Sequence, residues 1–109
     1  MDAAEAGRNC AAVYRRARST ILSLSSDAGV TTRFFWQPVK DRDSSYRAFK
    51  AADPLVGAPT IDITHVLDDV EDEVYIDGGH TNEAGALAVA EAIYRNLRPL
   101  ISARHAAGG

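Results

Sequence analysis

Asp77 and His80 stand three positions apart, with Gly78 and Gly79 between them. A carboxylate beside an imidazole is the base half of a nucleophilic hydrolase. The imidazole takes a proton from a hydroxyl, and the carboxylate fixes the ring's tautomer and stabilises the imidazolium that forms. Two glycines in a row adopt backbone conformations closed to other residues, so the chain can fold back and bring the carboxylate to the ring. The same residues also read as a plain turn closure, in which Asp77 and His80 cap backbone groups. The nucleophile is not evident. Asp43-Ser44-Ser45 comes nearest, but it lacks a glycine, follows a strand-like segment and opens a helix, so neither Ser44 nor Ser45 reads as a nucleophile.

Other chemistry-bearing residues carry less signal. His65, Asp68, Asp69, Glu71, Asp72 and Glu73 form an acidic run with one imidazole. A hard cation needs several oxygens converging on one point, and this run lacks the alternating Asp/Asn pattern and glycine of a calcium loop. It reads as a solvated connection, and no metal or cofactor is expected. Trp36, at a strand end, reads as a core aromatic, with the alternative that it lines a pocket beside His80. Arg15, Arg16 and Arg18 read as a solvated helix face. Cys10, the only cysteine, reads as a small inward-facing core residue.

The elements that would position these residues follow from apolar spacing. Cys10, Val13, Tyr14, Ala17, Ile21 and Leu24 recur at helical intervals, predicting a helix over 9–27 that stops at Gly29. Residues 31–37 are β-branched and aromatic up to Pro38, and read as a strand buried on both faces of a parallel sheet. Asp43 is the expected cap of a helix over 44–52, with Tyr46 and Phe49 inward, ended by Asp53-Pro54. Residues 60–64 alternate as a short second strand. The last helix is expected over 82–101, with Thr81 as N-cap, Pro99 loosening its end, and Ala86, Val89, Ala90, Ile93, Leu97, Leu100 and Ile101 on its apolar face. Residues 1–8 and 103–109 are expected to be disordered. Alternation of helix and strand predicts an α/β fold with a parallel sheet. Two strands make a poor sheet by themselves, which indicates that part of the sheet is missing.

Residues 74–90 resemble the C-terminal block of the SGNH (GDSL-type) hydrolase superfamily. The block reads Asp77-Gly78-Gly79-His80-Thr81-Asn82-Glu83-Ala84-Gly85, then the alanine-rich helix of Ala88 to Ile93. Phe34 to Pro38 resembles a later sheet strand of that family, and Ile61 to Thr64 its last strand. The resemblance implies a three-layer, flavodoxin-like α/β fold, here incomplete, with one partial domain over 1–109. It implies ester hydrolysis without a metal, with His80 as general base and Asp77 as its orienting carboxylate, and an acyl ester as substrate. The family's Gly-Asp-Ser nucleophile block and its two oxyanion-hole blocks are absent from the chain. The resemblance therefore implies the C-terminal portion of a hydrolase, inactive alone, which a complementing N-terminal segment would complete. The rival expectation is a non-catalytic α/β module that binds a partner, or a second copy, through its open sheet edge.

Composition bounds the remaining classes. The chain has 109 residues, 46% hydrophobic and 25% charged, with a formal net charge of −3, as in an ordinary globular domain. Scattered basic residues on a net negative chain point away from nucleic acid or an anionic membrane surface as a partner. No apolar run approaches membrane-spanning length, and the acidic N-terminal residues do not form a secretory signal. Taken as it stands, the sequence reads as cytoplasmic. An upstream segment would change that expectation.

Overall fold

The computed structural model describes residues 2–40, 44–70, 73–77 and 79–108. Three helices and one pair of strands follow in the order α1 (Ala3–Asp27), β1 (Phe35–Trp36), α2 (Ser44–Val56), β2 (Ile61–Asp62) and α3 (Glu83–Gly108). Helices take up 63% of the described residues. This corrects the expected three-layer, flavodoxin-like α/β architecture: among the described residues the sheet has only two short strands, paired in parallel with Phe35 opposite Ile61 and Trp36 opposite Asp62. A strand persists only where a neighbour takes its hydrogen bonds. Residues 31–37 and 60–64 have strand-like composition, but only two residues of each find a partner.

The helices are longer than their apolar spacing predicts. Asp2 caps α1 by accepting from the Glu5 amide at 2.7 Å, so residues 3–8, expected to be disordered, are helical. Asp2 and Glu5 have the spacing of a capping box. At the other end of the chain, α3 continues through Pro99 to Gly108, so residues 103–108 are helical as well. Alanine-rich ends explain both extensions, because alanine loses the least on entering a helix. The second helix runs past Asp53-Pro54 to Val56 and stops at Gly57, whose φ of +67° suits a helix end. Asp43, its expected cap, lies outside the described residues.

Arginines of α1 hold the end of α2. Arg18 donates from one guanidinium nitrogen to the carbonyls of Val56 (3.0 Å) and Gly57 (2.8 Å) and to the Thr60 hydroxyl (2.9 Å). Arg15 donates to the Leu55 carbonyl. The last carbonyls of a helix have no partner within it, so α1 supplies one from outside. Arg18 is thus buried, at 8% exposure, rather than part of a solvated face. The pairing also rotates α1. Its buried residues are Gly7, Ala11 and Arg18, whereas the expected inward residues Val13 and Leu24 are 57% and 64% exposed. Cys10 is only half-buried.

Trp36 joins the two helices to the strands. Its ring meets Tyr14 of α1 edge-on at 4.9 Å and lies 6.3 Å from Phe49 of α2, and its indole nitrogen donates to Asp53 at 2.6 Å. The buried apolar residues are mostly small or medium-sized: Ala11, Ala52, Val56, Ile63, Leu67, Val74 and Ala92. The radius of gyration is 16.0 Å, against about 13 Å for a compact domain of this length. Among the helices, α1 and α2 pack closely together. No described helix is long and apolar enough to cross a membrane.

Candidate functional site

Residues 74–77 and 79–82 form a tight return that leads into α3. Tyr75 and Thr81 make an antiparallel bridge, the Ile76 amide donates to the His80 carbonyl at 2.8 Å, and the Asn82 amide donates to the Val74 carbonyl at 2.9 Å. The α3 cap is Asn82 rather than Thr81: its side-chain oxygen accepts from the Gly85 amide at 3.0 Å, and its side-chain nitrogen donates to the Glu73 carbonyl at 2.7 Å. Asparagine at this position accepts from the third helical amide better than threonine does, so this signal was present in the sequence. Gly85 lets the helix lie against the return. A Cβ there would stand 2.8 Å from the Thr81 Cβ and 3.0 Å from the Val74 carbonyl oxygen.

Asp77 organises the tip. One carboxylate oxygen accepts from the Gly79 amide and the His80 amide, both at 2.8 Å. His80 Nδ1 lies 2.8 Å from the other oxygen and 3.0 Å from the first. The Gly79 amide, then the His80 ring and the His80 amide, hold the Asp77 carboxyl down at about 2, well below its ordinary range. The structure therefore brings together the two residues singled out from sequence. With Nδ1–H given to the carboxylate, Nε2 is the nitrogen left to take a proton. The His80 side chain is 77% exposed and that of Asp77 51%. The turn thus has the geometry of a base pair and also that of a self-capped turn.

Sequence reasoning missed the neighbour of this turn. Tyr46 of α2 lies against Gly79: a Cβ there would come within 2.9 Å of its ring carbon Cε1 and 3.0 Å of its hydroxyl oxygen. The contact links α2 to the turn across more than thirty positions of sequence, which local patterns cannot reveal. A cavity of about 250 Å³ lies beside the turn, lined by Pro38, Gly79, Thr81, Val89 and Ile93 among others. Trp36 faces the α1–α2 side, where it lines a different hollow with Asp53 and Thr60.

The remaining candidates lie apart. His65 Nδ1 meets Asp68 at 2.7 Å in an exposed pair. Asp62 accepts from the hydroxyl and amide of Thr64 at 2.7 and 2.8 Å, and the hydroxyl contact leads in lowering its pKa. Burial and nearby Asp68 raise that of Tyr75. Glu73 pairs with Lys40 at 3.2 Å. Glu71 and Asp72 lie outside the described residues, as do the side chains of Ser44 and Ser45. Among the described residues no three His, Cys, Asp or Glu side chains converge to hold a metal.

Comparison with known proteins finds no match: no family model, no curated protein and no solved structure aligns with the chain.

Proposed function

We propose that this chain supplies the base pair of an ester hydrolase, with His80 as general base and Asp77 as its orienting carboxylate, and that it is inactive without a second segment carrying the nucleophile. The contact between Asp77 and His80 Nδ1 carries this reading, because it commits the ring to the tautomer a base needs. The resemblance of 74–90 to the SGNH C-terminal block supports it, and the cavity beside the turn is apolar enough for a short acyl group. The family's sheet plays no part in the reading. Loss of a triad's nucleophile costs about a million-fold in turnover, so no ester hydrolysis above the buffer rate is expected from the chain alone.

The test begins in the source reading frame upstream of Met1, where a strand ending in Gly-Asp-Ser is expected. The joined protein should hydrolyse p-nitrophenyl butyrate, and His80→Ala should lower kcat by about 10⁴-fold or more. Retained activity in that variant, or absence of any such segment, overturns the reading.

A second reading is favoured by the two-stranded sheet, whose outer edges pair with no further strand among the described residues, and by the exposed Val13, Ile21 and Leu24 of α1. In this reading the chain is a non-catalytic module that self-associates or binds a partner by strand addition. Size-exclusion with light scattering separates the two. A defined dimer favours the module, and a folded monomer counts against it.

A further inference from the structure

A second hollow lies apart from the His80 turn. It is a groove of about 1100 Å³ between residues 29–35 and the C-terminal part of α3, slightly above the usual size range of small-molecule sites. Phe35, Leu97, Leu100 and Ile101 form its apolar floor. Glu83 and Leu97 are fourteen residues apart on α3, which places this floor about 21 Å along the helix from the turn.

The charge at the groove's rim is one-sided. Arg33, Arg104 and His105 line it, and no acidic side chain does, although the chain carries 15 acidic against 12 basic residues. Both arginines are exposed. Arg33 donates to the Thr32 carbonyl at 3.0 Å, and none of the ion pairs among the described residues uses Arg33 or Arg104. A guanidinium is a planar donor fork that matches a carboxylate. Apolar floor and basic rim together specify a ligand with one anionic head and one flexible hydrocarbon tail.

We propose that this groove binds a single-chain fatty acid, with its carboxylate between Arg33 and Arg104 and its chain along Phe35, Leu97, Leu100 and Ile101. The site is separate from the His80 turn and does not rest on the hydrolase reading.

The experiment is a titration of the isotope-labelled 109-residue chain with sodium dodecanoate below its micelle concentration, followed by amide NMR. Saturable shifts are expected at Arg33, Phe35, Leu100 and Arg104. Octanoate and decanoate should bind progressively more weakly, by about fourfold for each methylene withdrawn from the groove. The double variant Arg33→Glu/Arg104→Glu should weaken dodecanoate by about tenfold or more and leave dodecanol binding unchanged. Its helical circular dichroism should match the parent. If it does not, Arg104→Gln alone provides the comparison. Absence of saturable shifts, or equal dodecanoate affinity in the charge variant, overturns the proposal. Capture of the chain by phosphatidylglycerol vesicles without dodecanoate binding would assign the groove to a membrane surface instead. A dimer that covers these amides and resists dodecanoate would assign it to a second copy.

Discussion

Gly7 of α1 and Ala51 of α2 meet so closely that a Cβ on Gly7 would stand 2.6 Å from the Ala51 Cβ and 2.9 Å from its carbonyl carbon. The two helices pack along this line, and Ala11 and Ala52 beside it are fully buried. Because backbone stands on the far side, the contact cannot relax by a side-chain rotation. Gly7→Val should therefore separate the helices and destabilise the fold by about 1–3 kcal/mol, despite its better shielding of the helix backbone. Urea unfolding followed by circular dichroism measures this. An unchanged midpoint would show that the helices do not meet at Gly7.

Arg18 should be the most costly charged residue to remove. Arg18→Ala leaves the Val56 and Gly57 carbonyls without their donor, and a loss of about 2–4 kcal/mol is expected. Arg18→Lys should recover only part of it, since an ammonium lacks the guanidinium's fixed fork. Arg16→Ala, on the exposed face, provides the control, with an expected change within about 0.5 kcal/mol.

Gly85→Ala tests the seat of α3. In an exposed helix this change is stabilising. Here the new methyl meets Thr81 and the Val74 carbonyl, so a loss of about 1–2 kcal/mol is expected. Faster hydrogen exchange of the Asn82 and Ile76 amides should accompany it, because their acceptors are in the same return. A stabilised variant would contradict the close approach.

The Asp77 carboxyl sets an acid limit on the turn. It titrates at about 2 when folded and at 3.8 when free. Between these values the unfolded chain binds the proton more readily, so falling pH favours unfolding. The stabilisation is complete above the free value and disappears as pH falls through about 2. A carbon-detected NMR titration of the Asp77 carboxyl should show a midpoint near 2, and His80→Ala should move it upward. A midpoint at 3.8 or above in the parent chain would rule out the three contacts that hold the carboxylate.

The local features of this protein are legible in its sequence because their partners lie within a few residues. Asp77 meets His80 three positions on, Gly29 follows the end of α1, and the apolar face expected for α3 supplies Val89, Ile93, Leu97 and Leu100 to the hollows beside that helix. Asp2 and Asn82 carried equally local capping signals that apolar spacing passes over. What sequence patterning cannot supply is the identity of distant partners. Helical periodicity marked Val13, Ile21 and Leu24 as inward, but α1 turns Gly7, Ala11 and Arg18 toward α2, because a glycine admits Ala51 so closely and the Arg18 guanidinium reaches the open carbonyls 38 and 39 positions later. Strand length was misread for the same reason. β-branched and aromatic residues favour an extended chain, but a strand continues only as far as a neighbouring strand takes its hydrogen bonds, and here that neighbour is two residues long.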